Sequence, residues 1–324
     1  MHLEPILQIE HLSIEFIQYE RRTGKVRVSP GMHKRSLPVI RDLCLEIYPG
    51  QIVAAAGASG SGKSLLAHSI LDILPYNSRR EGVIRYDGNL LTSERAEQLR
   101  GREIVLVPQG VTYLDPLMKV GPQLRKGKKD RGTKQRYRRA LERYGMEPET
   151  ENRYPFELSG GMARRVMIAS ASAEKPRLII ADEPTPGLDA RAAKRILGHF
   201  RELADEGAGI LFITHDLELA LAIADRVAVF YAGETIEEAD AADFSDASGL
   251  RHPFTKALWN AMPEHGFVPA PGAQPYPGQA ETGCLFSGQC AKCRPECLSC
   301  EGIPLQSYRG GKVRCLYPGE EEKR

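Results

Sequence analysis

Gly57-Ala58-Ser59-Gly60-Ser61-Gly62-Lys63-Ser64 fits the pattern G-x-x-x-x-G-K-S/T, and the rest of the chain can be placed around it. A short apolar run, Gln51 to Gly57, leads into it after a Pro49-Gly50 turn, and a helical pattern leaves it from Lys63 to Leu74. Strand, glycine loop and helix in that order are the context the pattern requires. The glycines let the main chain curl so that several N–H groups point inward, and the helix adds its positive end. Lys63 is expected to reach the β- and γ-phosphates of a nucleotide and Ser64 to ligate Mg²⁺.

Downstream, Leu178-Ile179-Ile180-Ala181 is an apolar strand ending in Asp182-Glu183. In phosphate-loop proteins such an aspartate serves the magnesium ion, and the neighbouring glutamate is suited to orient or deprotonate an attacking water. Leu7 to Phe16 alternates as a strand. The polar stretch Arg21 to Ser36 reads as a hairpin loop or mobile insertion, with strand signals resuming at Val39. Further strands read at Ile210–Thr214 and Val227–Tyr231, with helical patterns at Ala190–Glu206 and Leu217–Ala224. Such alternation predicts an α/β fold, a largely parallel sheet covered by helices on both faces.

Composition narrows the function classes. The chain has 324 residues, with 44 Lys or Arg against 42 Asp or Glu, which gives no support to a nucleic-acid partner. No apolar stretch of about 20 residues appears, and Met1-His2-Leu3-Glu4-Pro5 does not read as a secretory signal, so a cytosolic chain is expected. Residues 125–139 hold nine Lys or Arg and one acid, read foremost as a solvated helix face, with lipid headgroups or a partner as the other reading. Six of the seven cysteines lie between Cys284 and Cys315, in a Pro- and Gly-rich tail that needs a staple.

Leu158-Ser159-Gly160-Gly161-Met162 resembles the signature of the ATP-binding subunits of ABC transporters. In the same order along residues 6–235, Gln109 resembles the Q-loop glutamine, Gly187-Leu188-Asp189 the D-loop and His215 the switch histidine. The resemblance implies a P-loop NTPase cassette over residues 1–245. That cassette would have a RecA-like core, an antiparallel β subdomain and a helical subdomain at about 112–158. It also implies ATP hydrolysis. Gly57 through Ser64, Gln109 and Asp182 would bind the nucleotide, with Ser64, Asp182 and Gln109 around Mg²⁺. Glu183, His215 and Gln109 would be catalytic. Ser159, Gly160 and Gly161 would act on the nucleotide of a second, homologous ATPase paired head to tail. Phe16 and Tyr19 are both candidates to stack on adenine. The segment after Gln109 and Pro186-Gly187 depart from the common pattern, which bears on permease contact rather than hydrolysis.

Arg251 to Leu258 resembles the start of the C-terminal extension of peptide and nickel importer ATPases, placing a second unit at 246–324. Cys284, Cys290, Cys297 and Cys315, separated by five, six and seventeen residues, are close to that extension's pattern. In parts of the family these cysteines hold an iron–sulfur cluster, of the four-iron type. Cys293 and Cys300 create two C-x-x-C pairs that also suit zinc, and free thiols are the third reading. The resemblance further implies two transmembrane permeases, an extracytoplasmic solute-binding protein, a place at the cytoplasmic membrane face, and di- or oligopeptides, nickel or metal chelates as cargo. A soluble ABC ATPase of DNA repair or translation, or a metal-sensing regulatory ATPase, are the competing readings. The single cassette and importer-type tail speak against the first of these.

Overall fold

A computed structural model describes residues 4–21, 32–58, 60–269, 272–276 and 282–319; Ser59 and residues 22–31 of the polar insertion lie outside them. The first half runs β1 (Leu7–Arg21), β2 (Met32–Ile47), β3 (Ile52–Gly57), α1 (Lys63–Ile70), β4 (Ser78–Tyr86), β5 (Asn89–Leu90), α2 (Ser93–Leu99), β6 (Ile104–Val107), α3 (Val120–Leu124) and α4 (Arg131–Arg143). The second runs α5 (Gly160–Ala173), β7 (Leu178–Asp182), α6 (Ala190–Asp205), β8 (Gly209–Thr214), α7 (Leu217–Leu221), β9 (Arg226–Tyr231), β10 (Glu234–Asp240), α8 (Pro253–Asn260), α9 (Pro295–Ser299), β11 (Gln306–Tyr308) and β12 (Gly311–Val313).

Among the described residues two sheets form. One is antiparallel, in the order β2-β1-β4-β5, and the other is eight-stranded, in the order β11-β12-β10-β9-β3-β8-β7-β6. The pairs β9–β3, β3–β8, β8–β7 and β7–β6 are parallel. β3 is buried along its whole length because both faces are covered, and alternate residues serve different cores. Val53 and Ala55 face the antiparallel sheet and α1, packing with Leu66, Ile70, Leu7 and Leu45. Ala54 and Ala56 face Val229, Tyr231 and Phe254. A third core joins Ile179, Phe212 and Val166 to Leu124, Tyr137 and Leu141, so the helical subdomain shares its interior with the sheet.

Two departures from the sequence reading concern strands. The hairpin around the polar insertion is longer than expected: β1 continues to Arg21 and β2 already begins at Met32, not Val39. Beyond Phe16 β1 has lost β4 as a partner and pairs with β2 alone, so this ribbon needs no apolar face and leaves no alternating pattern. The tail also holds two strands the composition did not signal. β12 pairs antiparallel with β10, and β11 with β12, so the extension continues the eight-stranded sheet.

Packing is continuous across residues 245 and 246. The buried Glu237 carboxylate accepts the main-chain N–H groups of Arg251 (2.8 Å) and His252 (2.7 Å) and faces the Arg251 guanidinium at 3.4 Å. Arg251 in turn donates to Tyr308 O (2.8 Å) and Asp243 Oδ2 (2.7 Å), tying β10 to the tail hairpin. A buried carboxylate is tolerable only with such pairing. Tyr231, Phe254 and Phe286 close the seam, with ring centroids 4.5 to 5.5 Å apart.

Candidate active site

The loop after β3 depends on its glycines. A Cβ at Gly57 would stand 2.3 Å from Phe230 O, and at Gly62, where φ is 93°, 2.9 Å from the Ile40 side chain. Gly62 also precedes α1 without a side-chain cap, leaving the first N–H groups of the helix for an anion. The buried Lys63 ammonium donates to Gly57 O (2.7 Å), Ala58 O (2.8 Å) and Ser61 Oγ (3.3 Å), so the cation is held inside the loop. Burial lowers its pKa to about 8, against the opposing pull of Glu183 and Asp182.

Asp182 ends β7 and accepts a hydrogen bond from Ser64. Burial pushes its carboxyl above the ordinary range; Ser64 and Lys63 oppose this and Glu183 adds to it. Ser64, Asp182 and Gln109 offer only oxygen donors, the hard set that suits Mg²⁺. Glu183 takes the left-handed region, φ 45°, and its carboxylate is held from both sides. Gln109 Nε2 donates to Oε2 at 2.7 Å, and His215 Nδ1 lies 2.9 Å from Oε1. Lys63, Ser64, Gln109, Asp182, Glu183 and His215 thus meet at the ends of β3, β6, β7 and β8. The end of a parallel sheet is the usual place for a ligand in such folds.

One residue of this site has no counterpart in the sequence reading. Arg164, on α5, is 7% exposed, and its guanidinium donates to the main-chain carbonyls of both Glu183 and Gln109. It fixes the two loops that carry the carboxylate and its amide partner. The only local signal is an arginine on a helix whose neighbours Ala163, Val166 and Met167 are buried. Arg164→Met is expected to lower ATP turnover about a hundredfold, because misplacing reacting groups by a fraction of an ångström costs that much. Arg164→Lys, with one ammonium for two carbonyls, should recover little, while nucleotide affinity stays near wild type. Steady-state turnover and equilibrium nucleotide binding separate the two effects.

Ser159, Gly160 and Gly161 are elsewhere. Ser159 caps α5, its Oγ accepting Met162 N–H at 3.2 Å. With Gly187, Leu188 and Asp189 these residues line a cavity of about 530 Å³ that has Arg165, Arg191 and Arg195 on its wall and none of the Lys63 or Glu183 cluster. Asp189 is itself a cap, accepting Ala192 N–H at 2.8 Å. Of the two aromatic candidates, Tyr19 is 64% exposed and Phe16 half-buried.

The profile of the ABC transporter family matches residues 40–186, and that of the oligopeptide/dipeptide transporter C-terminal region matches residues 236–297. A peptide import ATP-binding protein of Brucella melitensis is 32% identical over 332 residues, covering 96% of this chain and 94% of its own. The chain belongs to the ABC transporter ATPase family. The oligopeptide transport ATP-binding protein AppD of Bacillus subtilis is 33% identical over 309 residues, covering 89% and 93% of the two chains. The dimeric structure of a bacterial ABC transporter cassette shares the fold, with a TM-score of 0.60 at 23% identity, over 72% of this chain and 98% of that one.

Two further features belong to this ABC ATPase. An apolar groove of about 300 Å³ runs between β6 and the helical subdomain, lined by Ile73, Val105, Leu106, Tyr113, Leu114 and Met167. Beside it Tyr113, Leu117 and Met118 are exposed at 58%, 86% and 44%. In the tail, Cys284, Cys290, Cys293, Cys297 and Cys315 line one small cavity with His252 and Phe286, whereas Cys300 does not. All seven cysteines are free thiols. Burial, reinforced by the neighbouring sulfurs, pushes Cys284 up to about 12 and raises Cys290 and Cys315. Among the described residues no helix is long and apolar enough to cross a membrane.

Proposed function

We propose that this ABC ATPase couples ATP hydrolysis to the uptake of di- or oligopeptides through membrane permeases. The observation that carries the mechanism is the Glu183 carboxylate, clamped by Gln109 and His215 at the mouth of the loop that buries Lys63. Lys63 and the N–H groups of α1 hold the β- and γ-phosphates. Ser64, Asp182 and Gln109 hold Mg²⁺, which when bound neutralises charge on the phosphates. Glu183 accepts the proton of the attacking water at its carboxylate, and His215 and Gln109 fix the orientation of that carboxylate. Ser159, Gly160 and Gly161 lie apart from this site, which supports a head-to-tail pair in which each signature meets the partner's nucleotide. We assign the partner as a second, homologous ATPase. The apolar groove beside Tyr113 and Leu117 is the seat we assign to a permease helix, and we assign the chain to the cytoplasmic face of the membrane. An extracytoplasmic binding protein delivers the cargo.

Both relatives cited above are named for peptides, and peptides rather than nickel or metal chelates are therefore the proposed cargo. ATP-driven uptake of labelled di- and oligopeptides by vesicles carrying the whole transporter tests this. Uptake of Ni²⁺ without peptide uptake would overturn it. The unit boundaries near 245 and 112–158 are kept as a working division of the chain.

For the tail, Cys284, Cys290, Cys297 and Cys315 are the proposed ligands of a metal centre. Four thiols around one buried cavity match the donor chemistry of iron–sulfur and zinc sites alike. Iron–sulfur is the proposed state because the spacing of the four cysteines resembles that of the importer extension, and zinc is the second reading. A positive centre would also offset the burial that raises the Cys284, Cys290 and Cys315 thiols. Anaerobic purification is expected to give iron with a brown visible spectrum. Zinc without iron would move the assignment to zinc, and neither metal would remove it.

A further inference from the structure

β1 and β2 are interrupted at the same level. Ile9 pairs with Leu45 and Leu12 with Leu43, so Glu10 and His11 face the single residue Cys44. One step on, Ile14 pairs with Ile40, so Arg41 and Asp42 face Ser13 alone. At this level each strand therefore carries one extra residue, a pair of staggered bulges, and a third shift follows at Val39 of β2. The residues in the left-handed region are His11 (φ 52°) and Asp42 (φ 45°). A residue with a Cβ is disfavoured there, and His and Asp are among those that tolerate it. The third strand accommodates the distortion only through glycine: a Cβ on Gly82 would stand 2.5 Å from His11 O.

The bulges bring three unlike donors together. His11 Nδ1 lies 2.6 Å from Asp42 Oδ1, and the His11 main-chain N–H donates to Cys44 Sγ at 3.4 Å. Among the described residues this is the one group of three His, Cys, Asp or Glu side chains whose ligating atoms all lie within 4.8 Å of one another. Asp42 is oriented from behind. Its Oδ2 accepts from Arg314 Nη1 at 3.0 Å and its carbonyl from Arg314 Nη2 at 2.8 Å, leaving Oδ1 for the site. A ligating carboxylate anchored by an outer hydrogen bond, and a sulfur accepting a main-chain N–H, are common supports of metal ligands. His11 and Asp42 are open to solvent, with side chains 78% and 44% exposed.

We propose that His11, Asp42 and Cys44 form a surface site for a divalent transition-metal cation of borderline softness, such as Zn²⁺. The site is distinct from the Mg²⁺ of the nucleotide and from the tail cysteines. Imidazole, carboxylate and thiolate together select Zn²⁺ or Co²⁺ over Mg²⁺ and Ca²⁺. Three protein ligands leave a fourth position for water, as in exchangeable rather than structural zinc sites. The site lies on the seam between the antiparallel sheet and the extension, because Arg314 also donates to Thr235 O and Ile303 O.

The test uses the full chain, stripped of metal, with alkylation of each cysteine followed by peptide mass spectrometry, so that Cys44 is read apart from the tail thiols. At about ten times the dissociation constant, Zn²⁺ is expected to slow Cys44 alkylation about tenfold, and Mg²⁺ not at all. In His11→Ala, an exposed position, Zn²⁺ should leave the rate unchanged. Equal rates with and without Zn²⁺ in the wild type, or equal protection in His11→Ala, would overturn the site. Cobalt titration gives a second reading. Cys44→Ser should bind one equivalent less Co²⁺, with the matching loss of thiolate-to-cobalt absorption, and unchanged stoichiometry would overturn the proposal.

Discussion

Glu183→Gln is expected to lower ATP turnover by the assembled transporter about a thousandfold, while ATP binding is retained. The substitution keeps the size of the side chain and its contact with Gln109, which is 2.7 Å away. It removes the acceptor for the water proton and replaces the carboxylate opposite His215, which is 2.9 Å away. Removing a negative charge near the γ-phosphate should if anything tighten nucleotide binding, so the variant should accumulate as an ATP-loaded pair. Single-turnover hydrolysis and size-exclusion chromatography with ATP check both halves. Undiminished turnover would show that another group takes the proton.

Lys63→Ala should act on binding itself. The ammonium makes three hydrogen bonds inside the loop, and its replacement removes the only side-chain cation placed there among the described residues. A charge-assisted contact to phosphate is worth about 2–3 kcal/mol, so ATP affinity should fall about a hundredfold and hydrolysis with it. Wild-type Lys63 also predicts a pH dependence. Its pKa is lowered to about 8 by burial, whereas a bound polyphosphate would hold it charged. Below pH 8 the side chain is already protonated and affinity should be flat. Above it, binding must take up a proton, and the dissociation constant should rise about tenfold per pH unit. Calorimetry in buffers of different ionisation enthalpy reads that uptake directly. Affinity independent of pH between about 8 and 10 would mean that Lys63 does not carry the phosphate contact.

The parts of the site that are legible in sequence are those fixed by local spacing. Gly57 to Ser64 is one continuous stretch of sequence, and Asp182-Glu183 closes a strand whose apolar run is visible without any partner. Where distant segments supply the reason for a residue, sequence is mute. Arg164 looks like one charge on a helix, since its partners are main-chain carbonyls of residues 109 and 183. Glu237 and Glu238 in β10 are both buried, and nothing in the local sequence marks them so, because Arg251 reaches one and Arg226 and Lys312 the other. The bulges at His11 and Asp42 are likewise invisible: they are properties of pairing, not of either strand alone.

The pairing of β12 with β10 has a consequence for the edge of the large sheet. Without the extension, β10 would be the rim of the large sheet, with a row of open N–H and C=O groups on its outer side. Such a rim is a template for strands of other molecules. The tail hairpin occupies that rim and ends in two three-residue strands, too short to recruit a neighbour. The extension thus covers part of that rim, and shortening the chain ahead of Gln306 is expected to expose it and make the cassette more prone to aggregate.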